Sequence, residues 1–296
     1  DRVDVAVVGA GAAGLMAAIF AGRAARERGA DLRIVALDGA KRLGAKILVA
    51  GGGRCNVTHH AVEASAYAGG SRTAIRRVLR RFDVPETVAF FAELGVQLKR
   101  EDTGKLFPTT DRARTVLDAL LRATAEAGAT IHHPWRVDAV EAVEGDGDAG
   151  GFLVRPEGGE PIHARRVILA TGGRSLPKSG SDGHGHAIVR SLGHAITDRV
   201  FPSLVPLRLA EGHPLLELSG IAVPAAVEVR RPTGKRIVRF ENDLLCTHFG
   251  LSGPAALDAS RWWIDAFMDD RDARLVVDWL PAVPEPALDA ELVAPG

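Results

Sequence analysis

Residues 3–8 (VDVAVV) form a short apolar run that ends at Gly9-Ala10-Gly11-Ala12-Ala13-Gly14. A run of that length fits a strand buried on both faces. Residues 12–28 then place Leu15, Ala18, Ile19, Gly22 and Ala25 at helical spacing, and Gly29 stands where the helix should end. Residues 32–37 read as a second buried strand, closing at Asp38. Strand, glycine turn, helix and strand make a βαβ unit and so predict a parallel sheet. In such a turn Gly9 permits the tight bend, Gly11 lets the backbone approach a pyrophosphate, and Gly14 lets the helix lie close to the sheet. The helix N-terminus presents N–H groups and a positive dipole end to the phosphates. Asp38, 24 positions after Gly14, stands where a carboxylate accepts from a ribose hydroxyl. The unit predicts a dinucleotide ligand without choosing between nicotinamide and flavin.

Two further glycine turns bear on that choice. Residues 167–169 are an apolar run leading into Ala170-Thr171-Gly172-Gly173. In a parallel sheet the C-terminal ends of the strands line the ligand crevice, and small residues there let a second stretch of backbone close over a long cofactor. Taken alone, the same residues are equally well a plain strand-to-loop turn. The other turn is Gly51-Gly52-Gly53-Arg54-Cys55-Asn56. Three glycines permit a nest of N–H groups that binds anions, and Arg54 adds charge-assisted hydrogen bonds. Lys46 is a further cation for a phosphate. The competing reading is a flexible surface loop, with Cys55 a small buried thiol. Together the two turns favour FAD over NAD.

Beyond the first unit, residues 72–81, 85–94 and 112–127 read as helices, and residues 97–110 as a hairpin or long loop. The period then changes. Residues 130–133, 136–143, 152–156 and 162–170 read as strands, with turns at Gly145-Asp146-Gly147 and Gly158-Gly159. A short helix follows over residues 187–192. From residue 196 the pattern is β-rich to about Cys246, then helical over 253–267, with a strand at 275–279. Ser252 is placed to cap that helix, which Gly253-Pro254 opens. These readings predict an α/β chain: a domain over residues 1–196 with a helical insertion at about 60–115, and a second domain over residues 197–296.

Lys plus Arg and Asp plus Glu both total 37, so net charge gives no reason to expect nucleic acid or an anionic membrane as partner. No apolar run reaches the length of a membrane span. Two distant cysteines, Cys55 and Cys246, make no disulfide framework, and the default setting is cytoplasmic. His184-Gly185-His186 lacks the companions of a metal site, and no metal is expected. Arg76-Arg77 and Arg80-Arg81 read as a solvated helix face.

On these residues the chain resembles the BaiN-like flavoprotein family, whose members include aminoacetone oxidases and 3-dehydro-bile-acid reductases. The likeness runs through residues 9–18 (GAGAAGLMAA), 51–58 (GGGRCNVT), 101–112 (EDTGKLFPTTDR), 170–185 (ATGGRSLPKSGSDGHG), 202–207 (PSLVPL) and 247–254 (THFGLSGP). It implies FAD in a Rossmann-like domain with a parallel sheet and a β-meander. It also implies an inserted second domain, β-barrel-like and helical, over the flavin. By motif, FAD contacts fall on Gly9, Gly11, Ala13, Gly14, Asp38, Gly52, Gly53, Arg54, Asn56, Thr171, Gly172 and Gly173, with Val137 as an adenine-side backbone contact. Cys246 stands where the family has an aromatic residue. Family members return to the FAD domain through a Gly-rich segment along the flavin. Nothing here matches it, so the chain is expected to stop inside the insert.

The implied activity is hydride transfer between the flavin and a small organic substrate or NAD(P)H. The flavin carries that chemistry, and no catalytic acid or base is assigned. Lys105, Asp111, His184 and His248 lie in matching motifs but are as readily structural. Two other readings stay open: an NAD(P)-dependent dehydrogenase using the first βαβ unit, and a non-catalytic flavin-binding protein. No second GxGxxG marks a separate nicotinamide domain, and no feature sets the oligomeric state.

Overall fold

The computed structural model describes residues 1–145 and 150–293. The expected turn at Gly145-Asp146-Gly147 lies partly outside them, and the closing Ala294-Pro295-Gly296 wholly so. The chain divides into two units, Asp1–Ile196 and Thr197–Gly296.

In the first unit β1 (Arg2–Val8), α1 (Ala12–Glu27) and β2 (Ile34–Leu37) form the βαβ unit. β1 and β2 run parallel, with Val8 opposite Leu37. All four β2 residues are buried, and α1 buries the stripe Leu15, Ala18, Ile19, Gly22 and Ala25. Burial of Leu15 and Ile19 stabilises the unit by roughly 1.5–3 kcal/mol each. The helix ends where Gly29, at φ 63°, turns the chain left-handed.

The chain continues through α2 (Ala45–Gly53), β3 (Thr58–His59), α3 (Arg72–Leu79), α4 (Val84–Glu93), β4 (Leu98–Arg100), β5 (Lys105–Pro108) and α5 (Ala113–Glu126). β6 (Ala129–His132), β7 (Val137–Val143), β8 (Gly151–Pro156), β9 (Ile162–Leu169) and α6 (His184–Ser191) complete the unit. Among the described residues six strands form one sheet in the order β6-β2-β1-β9-β8-β7. The first four are parallel, and β9-β8-β7 is an antiparallel meander. Residues from α1, α4 and α5 fill the core on one face, and β7, β8 and α6 contribute to the other.

Residues 97–110 are a hairpin, β4 with β5, which β3 joins as a third strand. The segment expected to be a helical insertion is therefore partly β. α4 begins at a capping box: the Asp83 carboxylate accepts from the Glu86 N–H while the Glu86 side chain accepts from the Asp83 N–H.

The second unit holds β10 (Leu207–Arg208), β11 (Ala222–Arg230), β12 (Arg236–Thr247), β13 (Gly250–Ser252), α7 (Gly253–Asp269), β14 (Arg274–Asp278) and α8 (Glu285–Val293). The strands run antiparallel in the order β10-β13-β12-β11-β14. α7 lies against β11 and β12 over Val227, Val229, Leu244 and Cys246. Residues 197–206 carry no strand, so the β-rich pattern starts later than its composition indicates. Ser252 does occupy the N-cap of α7, but its hydroxyl makes no cap bond; Pro254 in the first turn fixes the start instead.

One buried charge shapes this unit's response to acid. Glu228 on β11 has a 5% exposed side chain and accepts from Arg230 at 2.6 Å, Arg239 at 3.0 Å and Arg236 at 3.2 Å. Burial alone would raise its pKa; the hydrogen bonds from Arg230, Arg239 and Arg236 outweigh that and hold it down to about 2. A folded pKa below the unfolded one gives stability that is present above about 4.5 and is lost as pH falls towards 2. The cluster should therefore contribute up to about 3 kcal/mol that acid removes. Thermal unfolding of wild type and Glu228→Gln at pH 6 and pH 3 checks this. The variant should be less stable at the higher pH and lose less on acidification.

Candidate dinucleotide site

Three parallel strand ends stand side by side on the first sheet. β2 ends at Leu37, β1 at Val8 and β9 at Leu169, with Val8 paired to both of the others. Asp38, Gly9 and Ala170 follow directly. The turns that the sequence singled out separately are thus neighbours: a Cβ on Gly9 would lie 2.6 Å from the Ala170 carbonyl oxygen.

The glycines of this crest are glycine for different reasons. Gly9 has φ 100°, and a Cβ there would strike Ala170. At Gly14 a Cβ would lie 1.7 Å from the Gly9 carbonyl oxygen, so the helix could not sit so close to the strand. Gly11 differs. Its backbone is extended, φ −75° and ψ −171°, and open space lies where its Cβ would be. Gly173 likewise faces open space and has no positive φ. Protein packing explains Gly9 and Gly14 but gives no reason for Gly11 or Gly173.

Gly11 is also the N-cap of α1, which has no side-chain cap and no acidic residue in its first turn. Ala12 and Ala13 are exposed there. Their N–H groups have no partner within the helix, and together with the dipole they suit an anion.

Asp38 is fixed by its surroundings. Its N–H donates to His132, and its carbonyl accepts from the Trp135 N–H. One carboxylate oxygen accepts from the Ala10 N–H at 2.7 Å and the other from the Ala40 N–H at 2.8 Å. The carboxylate thus braces the glycine turn, a role absent from the sequence reading; each oxygen keeps a further lone pair for a hydroxyl.

The Gly51–Gly53 loop is the C-terminal end of α2 rather than a free loop. Ala50 breaks the helix, and Gly51, Gly52 and Gly53 follow at φ 56°, 68° and 86°. Cys55 is buried, and burial pushes its thiol pKa up, which fits an unreactive side chain. Arg54 is already partnered: it donates to Glu101, lies 3.7 Å from Asp111 and sits over the Phe107 ring at 4.1 Å. Asn56 is exposed.

Lys46, on the same helix, reaches the crest. Its Nζ lies 3.9 Å from the point a Cβ on Gly172 would occupy. Ser181 is buried at that position, its Oγ 2.6 Å from the same point; it lies within the Gly-rich motif over residues 170–185 but carried no separate signal. Thr171 packs beneath Gly185, where a Cβ would lie 1.9 Å from its Oγ1. Val137 opens β7, and the register slips between it and Ala139.

Of the polar residues in matching motifs, His184 bonds through Nε2 to the Asp138 carbonyl at 2.7 Å, and Asp111 pairs with Lys99. Asp182 accepts from the His184 N–H, the main cause of its lowered pKa, and from Arg136. These partners give His184 and Asp111 structural roles.

The model described as HI0933-like protein Rossmann domain matches residues 3–252. The chain belongs to this HI0933-like family. The membership read from the glycine motifs holds. A 3-dehydro-bile acid delta(4,6)-reductase of Clostridium scindens is 34% identical over 278 residues, covering 94% of this chain and 64% of the relative. A ribosomal RNA dihydrouridine synthase of Escherichia coli is 32% identical over 268 residues, covering 89% and 62%. One of the same description from Haemophilus influenzae is 31% identical, covering 87% and 61%. This HI0933-like chain thus spans about three fifths of the length of the curated relatives it matches. Among the described residues no helix is long and apolar enough to cross a membrane.

Proposed function

We propose that the chain holds FAD along the β2-β1-β9 crest and serves an FAD-dependent oxidoreductase acting on an organic substrate, with NAD(P)H as electron donor. The observation that carries this reading is Gly11, a glycine with an ordinary backbone and open space in place of Cβ, at the uncapped start of a long helix. The pyrophosphate would lie against Gly11 and the N–H groups of the first turn of α1, at Ala13 and Gly14. Asp38 would accept from the adenosine ribose, and the Val137 backbone would meet the adenine. Lys46, with Thr171, Gly172 and Gly173, would close over the cofactor's midsection. Gly52, Gly53 and Asn56 would offer backbone and amide donors farther along. Arg54, held by Glu101, would act by bracing that loop.

FAD, when bound, would supply the hydride-transfer chemistry. The chain's own residues bind and orient it: small residues allow close approach, α1 supplies donors, and Lys46 supplies positive charge. The names of the relatives support a substrate class. A delta(4,6)-reductase and a dihydrouridine synthase both saturate a carbon–carbon double bond, so the reading is reduction of such a bond.

The test is the absorption spectrum of the purified protein, followed by anaerobic mixing with NADH and NADPH. Bound flavin near stoichiometry and bleaching by one donor are expected. A colourless protein that takes up no added FAD would refute the cofactor, and flavin that neither donor bleaches would refute the donor. Asp38→Ala should weaken FAD by about 1–3 kcal/mol, because it removes the ribose acceptor and frees the Ala10 N–H. Titration of flavin-stripped protein measures this, and an unchanged affinity would mean that another residue holds the ribose.

A further inference from the structure

The zero net charge of the chain hides one strongly unbalanced place. Residues 72–81 (RTAIRRVLRR), which are α3 and the two residues after it, contain five arginines, no lysine and no acid. All five are exposed. Elsewhere Arg23, Arg136, Arg155, Arg199 and Arg239 each lie on a carboxylate. Among the described residues none of the five on α3 does. They form two ridges, Arg72-Arg76-Arg80 and Arg77-Arg81, at a spacing where like charges destabilise a helix. Between the ridges lies a shallow depression of about 360 Å³ lined by Thr73, Arg76, Arg77, Arg80 and Arg81 alone. A second, of about 440 Å³, adjoins it on the side of Arg72 and also carries Glu63 and Asp83. Those two acids are otherwise engaged: Glu63 accepts from Ser65, and Asp83 caps α4.

From this arrangement we infer that α3 is a docking surface for the phosphate backbone of a single-stranded RNA. Guanidinium groups grip phosphate through paired N–H donors, which lysine cannot do, and the array uses arginine alone. Tyr67, the one tyrosine of the chain, is 49% exposed and directly follows the 3-10 turn Ala64–Ala66 that packs on α3. An exposed ring next in the chain to a turn packed on an arginine array can stack an unpaired base. A membrane-surface helix would need an exposed apolar face. Here Ile75 and Leu79 are half-buried, which leaves only Ala74 and Val78 as exposed apolar side chains of α3. The inference does not depend on the flavin reading.

The test is fluorescence anisotropy of a labelled single-stranded RNA of about 20 nucleotides, titrated with the whole chain at several salt concentrations. The affinity should fall with log salt at a slope of about 0.7 per phosphate contact, or about 3 for four arginines. Arg76→Gln/Arg77→Gln/Arg80→Gln/Arg81→Gln should bind more than tenfold more weakly and lose most of that slope. Relief of like-charge repulsion should keep its melting temperature at or above that of wild type. The single variant Arg77→Gln should lower the slope by about 0.7, and Tyr67→Ala should weaken binding roughly tenfold with the slope unchanged. Arg114→Gln/Arg122→Gln on α5 is the control and should bind as wild type does. The proposal falls if wild type shows no salt-dependent binding, if the α3 variants bind as wild type does, or if the α5 control loses as much. Tighter binding to phosphatidylserine vesicles or polyglutamate than to RNA would also overturn it. Flavin content read from the same samples separates the two ideas: RNA binding without flavin sinks only the cofactor, and flavin without RNA binding sinks only the docking surface.

Discussion

Gly11→Val is expected to leave the fold standing and to strip the protein of flavin. The backbone at Gly11 is extended, which valine adopts readily, and nothing lies within 4 Å of its Cβ position. Loss of glycine at the N-cap should cost no more than about 1 kcal/mol. The valine methyls would fill the space through which a pyrophosphate reaches the first turn of α1. FAD should be weakened by about 3 kcal/mol or more, a factor above roughly a hundred. The ratio of flavin to protein absorbance, read beside the thermal midpoint, separates the two effects. A variant that keeps stoichiometric flavin would show that the cofactor lies elsewhere.

Gly14→Ala should do the reverse. Its Cβ would fall 1.7 Å from the Gly9 carbonyl oxygen, in a buried helix facing a buried strand. The atom struck is backbone, so no side chain can rotate away, and α1 must shift off β1 as a whole. A cost of about 3 kcal/mol or more is expected, read as a lower denaturant midpoint for the first unit. An unchanged midpoint would mean that α1 does not lie on β1 as described. Three glycines of one six-residue motif thus carry separable demands: a turn at Gly9, an opening at Gly11 and a packing contact at Gly14.

Those three roles are legible in the amino-acid sequence because each follows from local geometry. The strands and most helices are legible too, since residues 5–8 and 167–170 are apolar runs and α1 and α5 show clean stripes. What stays hidden is tertiary. Asp38 announces itself as a ribose acceptor, but its bonds to the Ala10 and Ala40 N–H groups join residues 28 and 2 positions away. Arg54 looks like a phosphate ligand beside three glycines. Glu101, 47 positions on, already holds it, and no periodicity encodes such a pairing. Lys46 has a charge but no address in the sequence, and only folding brings it to Gly172. α2 is illegible because residues 45–49 make barely one turn before the glycines break it. The exposed arginines of α3 look like an ordinary solvated face; their lack of carboxylate partners among the described residues is a property of the fold.

The pairing of β1 with β9 sets an order of events. Residues 2–8 meet residues 163–169, so the two glycine turns that flank the crest cannot touch until almost all of the first unit has been made and has found its way back. Contacts so far apart in sequence close slowly, because loop entropy must be overcome first. During synthesis the βαβ unit emerges early with only one wall of its cleft. The second wall arrives only with β9. A ligand that bridges the walls would act as a clasp on the most distant pairing in the sheet, and its uptake would report that the unit has finished folding.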